Sequence, residues 1–387
     1  MISTFSSTLF PPLQFGADFL VHLPRLTASL GSRVCLVHGV SLQKRGLLEK
    51  IMQALAGKGL RVMTALVEGE PTVDMVDRVA GEARSRGIDV VVAIGGGSVL
   101  DTGKSLAALA GFPCSVLEFL EGVGKRKHPG TTLPWIAVPT TAGTGSETTT
   151  NAVLKGVGEE GIPYKRSIRH PSFLPRYILL DPTLQIGLPR NISAACAMDA
   201  LSQLLESHSS DRANPLTDAL TFEGLRHSHQ GLCMLERGVD SLEMRRHLAF
   251  AALCSGFGLG NAGLGLVHGV AGLIGGMRSI PHGVVCGTLI APAFAATIDW
   301  LMTHASPVSE IALEKFTRIA ELFTGKSNAS ELPRQLAQWV ETFELPRLGA
   351  YGFTDADLQD VANRASNRNS AAQLDVAQIL AVLRERL

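Results

Sequence analysis

Asp199, Gln203, His268 and His282 are the residues of this chain whose types and spacing suit a divalent cation. Asp199 and Gln203 stand four apart in AMDALSQLLE, so a helix there puts both side chains on one face. His268 in GLGLVHGVAG and His282 in SIPHGVVCG lie fourteen residues apart, and the IPHG turn can bring the second back toward the first. Imidazole nitrogen and carboxylate oxygen suit Zn²⁺ or Fe²⁺, and such a site polarises an alcohol or carbonyl oxygen when one coordination position stays open. On spacing alone, two histidines on Gly-rich helical segments are more often core or capping residues, so the reading depends on the rest of the chain.

Two further segments have the chemistry of phosphate recognition. In IGGGSVLDTGKSLAAL, Gly95, Gly96, Gly97 and Ser98 follow an apolar run and open a helix, so unobstructed N–H groups at a positive helix end can meet a pyrophosphate. Tight strand-to-helix packing uses the same composition. Asp101 reads either as a further cofactor contact or, with Lys104, as a capping and pairing residue of its own helix. The second segment, VPTTAGTGSETTTNAVL, gathers Thr140, Thr141, Thr144 and Thr149 with other hydroxyl residues around Gly143 and Gly145. A solvated loop has that composition too, but at the same end of a sheet as the triglycine turn its hydroxyls suit phosphate and ribose oxygens.

The elements that must position these residues change character along the chain. From about Ser32 to Pro182, β-rich runs alternate with helical ones: RVCLVHG, a helix over 42–57, LRVMTALV, a helix over 72–87, DVVVAIGGG, a helix over 98–110, then LPWIAVPTT. That rhythm predicts a parallel sheet with crossover helices. After Asp181-Pro182 the β-branched runs disappear, and Ala, Leu and Glu recur at helical spacing, as in LTDALTFEGLRHS. The predicted class is α/β followed by all-α: a Rossmann-like dinucleotide-binding domain over 1–182 and a helical metal and substrate domain over 183–387, with the ligands in the cleft between them.

Composition narrows the partners. The 387 residues are 45% hydrophobic and 18% charged, enough to bury two cores. Lys+Arg and Asp+Glu are equal at 35 each, which leaves no net field to draw nucleic acid or an anionic membrane, so a small molecule is the expected ligand. Cys35, Cys114, Cys196, Cys233, Cys254 and Cys286 are scattered with no CxxC pair, the pattern of free thiols in a reducing compartment. The chain opens without a charged segment and a long apolar run, and no stretch approaches eighteen uninterrupted apolar residues; a cytoplasmic protein without a membrane span is expected.

Taken in order, GGGSVLDTGK, PTTAGTGSE, LLDPTL, MDALSQLLES with ANPLTDAL, GLVHG and IPHG resemble the iron-containing (group III) alcohol dehydrogenase family over nearly the whole chain. The resemblance implies a dehydroquinate synthase-like architecture, NAD or NADP, Fe²⁺ or Zn²⁺, a small alcohol or aldehyde substrate, hydride transfer at the nicotinamide, and a homodimer. By position, the family's metal aspartate falls on Asp199 and its last two histidines on His268 and His282, which are also the catalytic residues. Gln203 stands where the family usually has a histidine, so the metal binds less tightly or through Gln203 with water. One turn after His268, where many members carry another histidine, this chain has Gly272, and the proton must leave through water, a ribose hydroxyl or the substrate.

The resemblance also bears on the cofactor. Where NAD-preferring members carry an acid after the first strand, VHGVSLQKRG offers Gly39 and Ser41, with Lys44 and Arg45 nearby. No carboxylate there repels a 2′-phosphate, and NADPH is favoured. The family's ribose-contacting lysine falls on Lys165, and Leu184 and Leu188 lie near the nicotinamide.

Three other functions share some of these features. A metal-free reductase of the maleylacetate-reductase kind fits Gln203. A dehydroquinate-synthase-like lyase needs basic residues for a substrate phosphate near the metal, and AMDALSQLLE and GLGLVHGVAGLIGG carry none. A dinucleotide-binding sensor without turnover fits Gln203 and Gly272 but leaves GLVHG and IPHG without a purpose. Arg278, beside His282 in GMRSIPHG, hints at an acidic substrate, and a surface arginine explains it equally.

Overall fold

The computed structural model describes residues 4–8, 10–158, 161 and 163–387, and the chain divides into two compact units. One holds Thr8–Thr141 and Gly145–Ile186; the other holds Ala142–Thr144 and Gly187–Leu387 with the N-terminal residues through Ser7.

The first unit is Rossmann-like. Strands β1 (Leu13–Phe15), β2 (Arg33–Gly39), β3 (Arg61–Val67), β4 (Val90–Gly95), β5 (Trp135–Pro139) and, after a separate hairpin, β8 (Tyr177–Leu180) form one parallel sheet in the order β1-β8-β5-β4-β2-β3. The continuous apolar runs of β2, β4 and β5 arise because alternate residues feed two cores on opposite faces. Val34, Leu36, Val92, Ile94 and Ile136 belong to the core that takes in the helical segments Val40–Lys44 and Leu47–Ala56. Cys35, Val37, Val91, Ala93 and Ala137 belong to the core with the helices Val73–Ser85 and Gly97–Leu109. The single helix expected over 42–57 is interrupted at Gly46, whose φ of +63° lies in the left-handed region. A Cβ on Gly103 would come within 2.5 Å of the Ala93 Cβ, so that glycine lets the Gly97–Leu109 helix lie close on β4.

The strand β6 (Asn151–Val157) follows the hydroxyl-rich turn as the apolar run there leads one to expect, whereas its antiparallel pairing with β7 (Pro163–Arg169) was not expected from the sequence. The hairpin's inward residues are few: Ala152, Leu154 and Ile168 join the second core, while polar and basic side chains occupy much of the rest.

The second unit is helical, and among the described residues no strand follows Leu180 apart from an isolated bridge between Ser210 and Ser370. Its centre is the helix Arg190–His208, buried almost throughout from Ser193 onward. A helix buried all round normally carries apolar residues on every face. This one instead buries Asp199, Gln203 and Glu206, at i, i+4 and i+7, on one stripe. Buried polar groups need partners. The helices Leu266–Met277 and His282–Thr303 supply them for Asp199 and Glu206, and Ser255 of the helix Leu242–Ala262 supplies one for Gln203. The His282–Thr303 helix is long and apolar enough to cross a membrane by composition, yet most of it is buried in this unit. All six cysteines are free thiols.

Candidate metal centre and cofactor turns

Asp199 projects from the central helix, His268 lies near the start of the Leu266–Met277 helix, and His282 opens the next one, with Cys286 one turn further on. One ligand atom from each of the four lies within 4.8 Å of every other. The Asp199 Oδ1 is 3.2 Å from His268 Nε2 and 3.8 Å from His282 Nε2. The Cys286 Sγ is 3.5 Å and 3.6 Å from the same two nitrogens. Asp199 and Cys286 are buried, whereas the His282 side chain is 36% exposed and gives the group its accessible side.

Glu206 sets the orientation of His268. Its Oε1 accepts from the Val267 N–H at 2.6 Å, and its Oε2 is 2.6 Å from His268 Nδ1, leaving Nε2 to face Asp199. A carboxylate behind a ring nitrogen in this way fixes tautomer and ring angle and raises the basicity of the other nitrogen. Gln203 occupies a related supporting position: its Nε2 donates to Asp199 Oδ1 at 3.3 Å, and its Oε1 accepts from Ser255 Oγ at 3.0 Å. In this arrangement the amide oxygen, the atom that a ligand role requires, is engaged by a serine.

The electrostatics favour positive charge in this group. Burial pushes the Asp199 carboxyl up, but His282, His268 and the Gln203 amide together outweigh it and hold Asp199 below the usual carboxylate range. Burial pushes His268 down, yet Cys286, Glu206 and Asp199 hold it well above its ordinary value. His282 is raised mainly by Cys286, against burial, with Asp199 adding to the rise. A divalent cation would meet the same demand for charge, and a carboxylate and two imidazoles are donors that would fit Zn²⁺ or Fe²⁺.

The triglycine turn lies in the other unit, at the carboxyl ends of the adjacent strands β2 and β4, where the strand order reverses. Gly95 ends β4, Gly96 caps the following helix, and Gly97 and Ser98 form its first turn. A Cβ on Gly95 would fall 2.4 Å from a Val99 methyl carbon. Gly39 ends β2, and Ser41 is exposed in the short helix behind it. Thr140 donates its N–H to the Gly95 carbonyl at 2.9 Å, and the Thr141 side chain lies about where a Gly96 Cβ would touch it, at 3.1 Å.

Other residues singled out in the sequence spend their polar atoms within the fold. Asp101 accepts from Ser146 Oγ at 2.5 Å and from the Val153 N–H at 2.9 Å, stapling the second turn and the hairpin to the glycine helix. Lys104, read as a pairing residue on its own helix, is wholly buried and reaches Thr149 Oγ1 at 2.9 Å, the Ser146 carbonyl at 2.8 Å and the Asn151 carbonyl at 2.6 Å. Lys165 is paired with Glu70. Leu184 is buried in the core of the α/β unit, whereas Leu188 and Thr144 belong to the helical unit. Arg278 donates to Asp357 at 3.0 Å and lies over Phe353, so it is held by its own unit.

Glu206 and Cys286 were missed in the sequence. Their signal was periodic: Glu206 extends the Asp199–Gln203 stripe by one more turn, and Cys286 follows His282 by four on a helix.

Residues 11–182 match the family described as iron-containing alcohol dehydrogenase, and residues 193–387 match the C-terminal part of the same family. The chain is 32% identical over 307 residues to the 1,3-propanediol dehydrogenase of Klebsiella pneumoniae, covering 77% of this chain and 74% of that one. It is 28% identical over 373 residues to the NAD-dependent methanol dehydrogenase of Bacillus methanolicus, covering 92% and 93%. A solved structure of 1,3-propanediol oxidoreductase aligns over 100% of both chains with a TM-score of 0.87 and 27% identity. The chain therefore belongs to the iron-containing alcohol dehydrogenase family, oxidoreductases that act on CH–OH groups.

Proposed function

We propose that the protein is an NAD(P)-dependent alcohol dehydrogenase or aldehyde reductase for a small substrate, with residues 1–182 serving the dinucleotide and 183–387 serving metal and substrate. The observation that carries this reading is the convergence of ligand atoms from Asp199, His268 and His282. These side chains would hold a divalent cation, and Fe²⁺ or Zn²⁺ bound there would supply Lewis-acid polarisation of the substrate oxygen. Glu206 keeps His268 Nε2 turned toward the cation. A bound nicotinamide would accept the hydride of the alcohol in the oxidising direction, and because Gly272 offers no imidazole the proton would leave through water, a ribose hydroxyl or the substrate.

The dinucleotide pyrophosphate is held by backbone N–H groups from Gly95 to Ser98, with Thr140 and Thr141 beside them. Gly39 and Ser41 present no carboxylate to a 2′-phosphate, and NADPH is bound in preference to NADH. The protein works as a cytoplasmic homodimer without nucleic-acid or membrane partners. The names of its relatives, a methanol and a 1,3-propanediol dehydrogenase, support a short alcohol or diol as substrate. A metal-free reductase is a second reading, favoured by the Gln203 amide that donates to Asp199. The test is a panel of short alcohols, diols and aldehydes with NAD(H) and NADP(H), followed at the nicotinamide absorbance. Turnover with at least one pair is expected, and none with any pair would overturn the assignment.

A further inference from the structure

We propose that Cys286 is the fourth metal ligand, so that Asp199, His268, His282 and Cys286 form a thiolate-containing site that favours Zn²⁺ over Fe²⁺ or Mn²⁺. The inference rests on the metal reading above and gives the site a donor set of two nitrogens, one oxygen and one sulfur.

The geometry carries it. With Zn–N and Zn–O bonds of about 2.1 Å and a Zn–S bond of about 2.3 Å, a tetrahedron has N–S edges of about 3.6 Å and N–O edges of about 3.4 Å. The two N–S separations here are 3.5 and 3.6 Å, and the N–O separations of 3.2 and 3.8 Å fall on either side of the second value. The remaining N–N and O–S pairs lie within 4.8 Å, so the four donor atoms face a common space.

The alternative, a thiol that merely hydrogen-bonds, accounts for less. Cys286 has a single S–H proton, yet its sulfur is nearly equidistant from two imidazole nitrogens. Nδ1 of His268 faces Glu206, so Nε2 is the nitrogen turned toward Asp199 Oδ1 and Cys286 Sγ. A metal ion that displaces the thiol proton satisfies every one of these atoms, and two anionic donors, carboxylate and thiolate, balance a divalent charge.

The neighbouring glutamine points the same way. The Gln203 amide oxygen accepts from Ser255, while its amide nitrogen braces Asp199, so Gln203 acts as a positioning residue and the fourth donor comes from the helix that also carries His282. Exchanging an imidazole for a thiolate softens the site, which raises the preference for Zn²⁺ over harder ions.

Co²⁺ added to reduced, chelator-stripped protein tests the assignment. Wild type should bind one equivalent with visible d–d bands and a near-ultraviolet sulfur-to-cobalt charge-transfer band. Cys286→Ser should still bind Co²⁺ but lose the charge-transfer band, and its preference for Zn²⁺ over Mn²⁺ should fall at least about tenfold. Cys254→Ser, which removes a buried thiol outside this group, should keep the band. If wild type binds Co²⁺ without the charge-transfer band, or Cys286→Ser retains it, the ligand assignment is overturned while the metal reading stands. If wild type binds no Co²⁺, Zn²⁺ or Fe²⁺ at all, the metal reading and this inference fall together.

Discussion

Oε2 of Glu206 lies 2.6 Å from Nδ1 of His268, and that contact decides which nitrogen of the ring faces Asp199. Glu206→Gln removes the charge behind the imidazole and leaves either His268 Nδ1 or the Val267 N–H without its carboxylate partner. Metal affinity should fall by about 10- to 100-fold, as is usual when a group supporting a ligand is changed. Competition titration with a chromophoric chelator reads it, and an unchanged affinity would remove Glu206 from the metal account.

Glu147 and Lys104 are both buried in the α/β unit. Burial pushes the Glu147 carboxyl up to about 7, with only partial relief from its own backbone and Lys104. A carboxyl whose folded value is raised contributes stability below its unfolded value of 4.5, and that contribution is lost as pH rises through 7. Wild type should therefore lose up to about 3 kcal/mol from this group between those limits, and Glu147→Gln should not. Urea unfolding at a series of pH values compares the two slopes; identical slopes would contradict the assignment.

Gly272 is exposed within the helix Leu266–Met277, and a Cβ built on it meets nothing within 4 Å. Gly272→Ala should stabilise the protein by about 0.5–1 kcal/mol, the entropic cost of a helical glycine. The urea midpoint should rise with an unchanged m value. A lower midpoint would mean that the position requires glycine.

Gly39→Asp tests the cofactor preference. A Cβ at Gly39 touches only a Val99 methyl carbon at 3.4 Å and Ser41 Oγ at 3.9 Å, so a side chain is accommodated. A carboxylate there should shift the NADPH-to-NADH affinity ratio toward NADH by about tenfold or more. Fluorescence titration of both cofactors measures it, and a wild type that already prefers NADH would contradict the premise.

Most of the architecture was legible because its signals were periodic or punctuated. Continuous apolar runs identified β2, β4 and β5, which are covered on both faces, and helical spacing after Asp181-Pro182 identified the second unit as helical. The pairing of β6 with β7 was hidden because the hairpin's few inward residues lie among lysines, arginines and small side chains. At the site, the types and spacing of Asp199, His268 and His282 were readable, and the structure brings those three together. Which way Gln203 turns was not readable, since that depends on Ser255, which lies 52 residues away in sequence. The inward burial of Lys104 was hidden for the same reason: its acceptors, Ser146, Thr149 and Asn151, lie beyond a whole strand.

The central claim is that the group around Asp199 works by holding a metal ion. The direct measurement is turnover of protein shown by elemental analysis to be metal-free after chelation, before and after Zn²⁺ or Fe²⁺ is returned. The account predicts that activity is lost on stripping and restored by either ion, with no restoration in His268→Ala. Full activity in the verified metal-free protein would contradict it and leave Asp199, His268 and His282 as residues that orient the substrate.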